Sequence, residues 1–435
     1  MKNQQVVDYQ GSRVAIIDGV RTPFARQSSE LKALSAIDLG AHAVKTLLNR
    51  YDVKENEVDQ IVFGQVIPKA DAPNIAREIA LICGMGDRVD AFSVSRACAT
   101  SQQALICAVQ NICSGSIESA IVGGADSASN LPFTWSAEMG LMALSLFRAK
   151  TLPQKLQILR NLKLSHLIPS PPPVAEFSTG LSMGQTAEQM AKTFAISRLA
   201  QDEYAHRSHI LASNAWQDSL LCKQVEPIHP HPHQFHLTED NVLRHSSQLS
   251  DYAKLRPVFD RHAGTVTAGN SSALTDGGAA LFVVREDTAK AMNLPVLGYI
   301  RAYDFCAISV KKNMLLGPAY SIPRVLEKAG MSIKDIELME MHEAFAAQVL
   351  ANLACLSSDL FAQQQLGRSQ AVGDIDPTLM NIQGGSLAYG HPFAATGARM
   401  ITQLLYQLKR SGKGIGLVAS CAAGGIGSSI ILESE

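Results

Sequence analysis

No CxxC pair occurs among the eight cysteines, which removes the common zinc and thioredoxin-type patterns, and a chain this long is not a disulfide scaffold. Reduced thiols are expected. No run approaches the roughly 18 consecutive apolar residues of a membrane span. The opening MKNQQVVDYQGSR has neither an apolar signal core nor Arg/Ser-rich transit character, so a cytoplasmic protein is expected. Neither sign of charge dominates: 38 Lys and Arg face 39 Asp and Glu, a net charge of −1, which argues against a nucleic-acid partner held on a basic face. Glycine is at ordinary usage, so collagen-like or linker character is out. What is present is a 435-residue chain, 46% hydrophobic and 18% charged, long enough for two or three packed units.

Short apolar strands alternate with helix-period stretches, the pattern of an α/β protein. Val14 to Ala25 reads as a buried strand followed by Gly19 and a turn at Pro23; a helix over Ala33 to Tyr51 and a strand over Gln60 to Ile67 come next. Two parts of the chain then echo each other. A strand leads to SVSRACATSQQALICAVQNICSG and on to SAIVGGADSAS; later, ELMEMHEAF leads to GGSLAYGHPFAATGARMITQLLYQLKRSG and on to GIGLVASCAAGGIGSS. Leu105, Ala108, Val109 and Ile112 keep helical spacing up to Gly115, as Ile401, Leu404, Leu405 and Leu408 do up to Gly412. This predicts two copies of one α/β unit, each presenting a reactive side chain at a helix start. The predicted division is an N-terminal half over 1–130, completed by 256–286, an insert over 131–255 with a charged helix at Ile196 to Ala215, and a C-terminal half over 287–435.

Cys98 sits where a turn becomes a helix, so the helix dipole and backbone N–H groups are expected to lower its pKa and make it a nucleophile; a buried, inert thiol is the competing reading. His391 precedes Pro392, which predicts His391 at a helix N-cap, neutral and ready to accept a proton. Cys421 ends an apolar strand before Ala423, Gly424 and Gly425, whose amides can form an anion-binding nest. His342 and Glu343 do not make an HExxH zinc site, because position 346 is Ala346. No metal is expected there. His229, His231, His233 and His236, separated by prolines, read as a surface loop. Met139 to Ala175 holds five Lys and Arg and no acid among its leucines. It offers an anionic membrane surface, a partner or a nucleotide phosphate a contact, or else covers the core as an amphipathic helix.

SRACATS around Cys98, HEAF at His342, GHPFAATG around His391 and CAAGGIG at Cys421, in that order, resemble the thiolase family, as do AIIDGVRTPFA and VTAGNSS, which contains Ser272. The EFSTG segment, SRLAQDEYAHRSH and the length are similar to the thiolase subunit of the fatty-acid β-oxidation multienzyme (trifunctional) complex. The resemblance implies duplicated βαβαβαββ halves in five layers with an inserted loop domain. It implies cleavage of a 3-ketoacyl-CoA by CoA through a thioester on Cys98, with His391 activating Cys98 and Cys421 moving protons. His342, with His391 and a water, would serve one oxyanion, and amides of Cys98 and the Ala423 region the other; Ser272 would contact CoA. No resident cofactor is implied, since coenzyme A is a substrate.

It further implies a homodimer core within an α2β2 assembly with the hydratase/dehydrogenase subunit. Three departures stand out: CAAGG where many members have CxGGG, HEAF for NEAF, and no C-x-S-G after the nucleophile. None removes a reactive group. Rival readings are an acetoacetyl-CoA-forming thiolase, a ketoacyl synthase, which would not need Cys421, a non-catalytic lipid carrier, and a scaffold subunit.

Overall fold

The computed structural model describes residues 7–54, 57–86, 88–169, 175–229 and 236–435. The first half comprises strand β1 (Ser12–Arg21), helix α1 (Ala36–Arg50), β2 (Gln60–Gly64), α2 (Ile75–Ile82), β3 (Asp90–Val94), α3 (Thr100–Cys113) and β4 (Ser119–Ser127). The chain then passes through α4 (Ala137–Arg148), α5 (Leu152–Leu159), α6 (Met183–Thr193) and α7 (Arg198–Gln217) before returning as β5 (Thr275–Arg285). The second half comprises β6 (Gly298–Ala307), α8 (Gly317–Ala329), β7 (Leu338–Met341), α9 (Ala346–Leu356), α10 (Thr396–Ser411), β8 (Ile415–Ala422) and β9 (Ile426–Glu433).

The duplication is explicit in the strand order. In the first half β3, β2, β4, β5 and β1 lie side by side; β2 is parallel to β3 and β4, and β5 is antiparallel to β4 and β1. In the second half the order is a bridge at Met380, then β7, β8, β9 and β6, with the same sequence of parallel and antiparallel pairings. Ala15 and Ile16 of β1 pair with Tyr299 and Gly298 of β6 and join the halves. Helices α3 and α10 contact each other and lie between the two sets of strands, while α1 and α2 cover one outer face and α8 the other. Five layers result, with three apolar clusters between them. The strands are buried on both faces, as strands covered by helices must be.

Local signals explain the element ends. Ser35 and Asp38 form a capping box at the start of α1. Gly412, with φ of 65°, ends α10 in the left-handed conformation that glycine adopts without strain. Three expectations need correction. β1 does not stop at Gly19: it runs on to Arg21, and Gly19 is there because a Cβ would strike Thr402 and Leu281, so it marks close packing of α10 on the strand and not the strand's end. The strand expected to reach Ile67 ends at Gly64, because the N–H groups of Val66 and Ile67 turn to the Asp126 carboxylate. α4 and α5 do not cover the core: neither has a buried residue. The expected helices at 33–51 and 196–215 appear as α1 and α7. His229 and His236 stack at the surface, with Nδ1 atoms 2.8 Å apart, while His231, His233 and Pro171 to Pro173 lie outside the described residues.

The returning segment between α7 and β5 is tied to β1 by a buried, two-pronged ion pair, Arg21 Nη1 to Asp240 Oδ1 at 2.6 Å and Nη2 to Oδ2 at 2.8 Å. Asp240 also accepts the Phe24 N–H. Removing one partner of such a pair leaves a buried charge, at about 3–5 kcal/mol, so this contact fixes how the segment sits on the first half.

Candidate active site

Cys98 stands on an elbow. Ala97 has φ of 45°, unusual for a residue with a Cβ, and two hydrogen bonds of Thr100 brace it: Oγ1 accepts from the Arg96 N–H and donates to the Ala97 carbonyl. The turn lifts Cys98 out at the start of α3. His391 arrives from the other half. Its N–H donates to the Ala273 carbonyl at 2.9 Å, and its Nε2 lies 3.1 Å from Cys98 Sγ. Nδ1 lies 2.6 Å from Thr396 Oγ1, which orients the ring. The expected N-cap position is not found: Pro392 is the N-cap of a short 3-10 turn (Phe393–Ala395), and α10 starts only at Thr396. Gly390, at φ of 93°, lets the chain turn where no Cβ would clear Thr275.

The backbone donors expected at Cys98 are present, but burial outweighs them. Burial pushes its thiol up to about 12, while the N–H groups of Ala423 and of Cys98 itself, both directed at the sulfur, pull the other way. Burial, and then the Arg399 charge, lower His391 to about 3. Both charged forms are disfavoured for the same reason, so the resting pair is thiol and neutral imidazole. Cys421 is buried on β8, its thiol raised well above its ordinary value by burial and then by nearby Cys98.

Behind Cys421, the hairpin between β8 and β9 turns through Ala423, Gly424 and Gly425; the two glycines have positive φ and Ala423 does not, so the alanine fits without strain. The Gly424 N–H donates to Glu176 Oε2 at 2.9 Å, which ties the EFSTG segment to the turn.

His342 follows β7 and is fully buried. Its ring lies 4.3 Å from that of His391, and one ligand atom each from Cys98, His342 and His391 fall within 4.8 Å of one another. Ser272 stands elsewhere, on the wall of a surface cleft with Arg26, Arg244 and Ser271. The cleft is still coupled to the site: the Ser272 N–H donates to the Ala344 carbonyl, Ser271 bridges Phe345, and Leu274 bridges His391. The two arginines of that cleft give it an anion-attracting wall.

Sequence reasoning missed the supports. Glu343 accepts from Tyr204, Ser208, Asn381 and the Leu387 N–H, so it holds the loop under His391 and is not a free base. Asp126, held up to about 7 by burial, accepts the N–H groups of Val66, Ile67 and Ala394. Ser386 and Thr396 belong to the GGSLAYGHPFAATG segment and Arg399 follows two residues after it, and their side-chain hydroxyls and charge were the available signal. Glu340, an acid inside the apolar ELMEM strand, was another.

A thiol held near 12 ionises only as pH rises, with about tenfold more thiolate per unit. Alkylation of Cys98 by iodoacetamide therefore climbs steadily from pH 6 to pH 9. A plateau beginning near pH 6 would instead reveal a preformed thiolate–imidazolium pair.

The model of the thiolase N-terminal domain matches residues 14–287, and that of the thiolase C-terminal domain matches residues 294–434. The chain is 54% identical to a 3-ketoacyl-CoA thiolase of Vibrio cholerae serotype O1, over 100% of both chains. Among solved structures it resembles human mitochondrial 3-ketoacyl-CoA thiolase in complex with CoA, with a TM-score of 0.82 and 28% identity over 98% of each chain. It also resembles the Bacillus anthracis acetyl-CoA acetyltransferase, with a TM-score of 0.81 and 29% identity over 98% of this chain and 99% of that one. The chain belongs to the thiolase family.

Proposed function

We propose that the protein cleaves 3-ketoacyl-CoA with coenzyme A, giving acetyl-CoA and an acyl-CoA two carbons shorter, through a thioester on Cys98. It is an acyltransferase, and coenzyme A is its substrate. The observation that carries the assignment of roles is the 3.1 Å approach of Cys98 Sγ to His391 Nε2, with the Ala423 N–H directed at the same sulfur.

His391 takes the thiol proton as Cys98 Sγ bonds the 3-keto carbon. The bond between the second and third carbons then breaks. Its electron pair leaves with the acetyl-CoA enolate, which takes a proton from Cys421. In the second half-reaction Cys421 recovers a proton from the CoA thiol, the CoA sulfur displaces Cys98, and His391 returns its proton to Cys98. The amides of Cys98 and Ala423 face the oxyanion on the carbon bonded to Cys98. His342, together with protonated His391, faces the enolate oxygen. Ser272 contacts CoA from the arginine-lined cleft. Between the half-reactions the protonated His391 and the deprotonated Cys421 carry opposite charges, and the incoming CoA thiol returns the site to neutrality.

A homodimer is the expected core, within an α2β2 assembly in the cytoplasm, with residues 131–255 as the inserted domain. Helices α4 and α5 are the docking surface for the hydratase/dehydrogenase subunit: Phe147 is 91% and Leu152 70% exposed, with Arg148, Lys150, Lys155 and Arg160 around them. An anionic membrane is the second candidate for that surface.

Cys98→Ala reduces thiolysis to background while CoA binding and the fold persist; near-normal turnover in that variant removes Cys98 as nucleophile. Cys421→Ala slows both half-reactions, each by about 10²–10⁴-fold, in single-turnover assays. Loss confined to one half-reaction would contradict the double role. Phe147→Glu combined with Leu152→Glu weakens co-purification with the partner subunit and leaves thiolysis by the isolated protein unchanged. Undiminished co-purification, with vesicle binding lost instead, would assign the surface to the membrane.

A further inference from the structure

His342 is buried completely, yet its Nε2 has no hydrogen-bond partner among the described residues. Its other ring nitrogen, Nδ1, lies 3.0 Å from Ser386 Oγ. Ser386 Oγ lies 2.9 Å from Arg399 Nη2. Arg399 in turn donates from Nη1 to Glu340 Oε2 at 3.1 Å, and the other Glu340 oxygen accepts from Gln403 and Gln407. All four residues of this line, Glu340, Arg399, Ser386 and His342, are buried.

The direction of every bond follows from one fact: a guanidinium has donors and no acceptor. Ser386 Oγ therefore accepts from Arg399. Its single hydroxyl proton then has one partner left, His342 Nδ1. In the opposite arrangement His342 Nδ1 would donate, and the Ser386 proton would be buried with no acceptor, a cost of about 1–3 kcal/mol. Burial, and then the neighbouring His391 and Arg399, hold His342 neutral, so the ring carries one proton.

We propose that Arg399 and Ser386 are positioning residues that fix the tautomer of His342, placing its proton on Nε2 and so aiming a donor into the space shared with Cys98 and His391. His391 needs the reverse. To accept from the Cys98 thiol, its Nε2 must carry a lone pair, so its proton sits on Nδ1 toward Thr396 Oγ1. Two adjacent histidines of one type are thus set to opposite roles, one a base and one a donor to the enolate oxygen. The setting rests on the proposed thiolysis only for what the donor serves; the tautomer itself does not depend on it.

The tautomer is read from long-range proton–nitrogen correlation spectra of protein with ¹⁵N-labelled histidine, with the His342 signals identified by their loss in His342→Asn. The expected result is a protonated Nε2 and a bare Nδ1. Ser386→Ala should erase that preference and lower kcat by about 10²-fold with KM little changed, as loss of an aligned oxyanion donor does. Ser386→Thr, which keeps the hydroxyl, should restore both the signature and most of the rate. In a His342→Asn background, Ser386→Ala should cost little further rate, because an amide carries its donor protons without a tautomeric choice.

A protonated Nδ1 in the native protein overturns the proposal, and so does a Ser386→Ala variant with native kcat. If Ser386→Ala does not fold, the spectrum of the native protein decides alone. Mass measurement of native protein mixed with substrate separates the two levels: no acyl group on Cys98 would refute the proposed function, whatever the tautomer.

Discussion

Cys98 Sγ and His391 Nε2 meet at 3.1 Å across the boundary between two copies of one α/β unit; Cys98 is half-buried, and the buried His391, His342 and Cys421 around it largely exclude water. That exclusion governs the rest of the site. A dry pocket makes a thiolate or an imidazolium expensive unless something compensates it. The protein meets this constraint by keeping its reactive groups neutral at rest and by spacing them for direct proton passage. The same dryness raises the worth of each amide and imidazole donor aimed at developing charge.

Precise spacing between separate halves needs ties that do not depend on the reactive residues. Asp126, at the end of β4, accepts N–H groups from Val66 and Ile67 on its own side and from Ala394 on the other, so one carboxylate clamps the His391 loop to the first half. Glu343 does comparable service beneath the same loop from the second half, through Ser208 of α7 and the Leu387 N–H. The inserted segment contributes too, through Arg21–Asp240 and through Glu176 at the Gly424 amide. Ser208, Asp240 and Glu176 are far apart in sequence, yet each fixes a different wall.

Much of this was legible in the sequence. Cys98, His391, His342 and Cys421 were identifiable because small residues and Gly-His-Pro or Gly-Gly runs accompany them, and the duplication showed in two helices of matching period. What could not be read was the environment. The sequence argued from helix dipoles, and burial won: the thiol goes up where a lowered value was expected. Gly19 resembled the end of the strand because a glycine in a strand leaves no trace of the helix that needs the space. The basic, leucine-rich stretch left a core-covering helix and a docking surface both open, because periodicity alone does not tell an unpartnered apolar face from a buried one.

The equivalence of α3 and α10 has a consequence of its own. Each follows the edge of its half, β3 or the bridge at Met380, and leads into an inner strand, β4 or β8, and each begins beside one member of the sulfur–imidazole couple. Two identical half-sized polypeptides associating face to face would put the same side chain at both helix starts, sulfur against sulfur or ring against ring. Joining the copies in one gene product frees each start to diverge, so that unlike chemistry can be mated across a nearly symmetric seam.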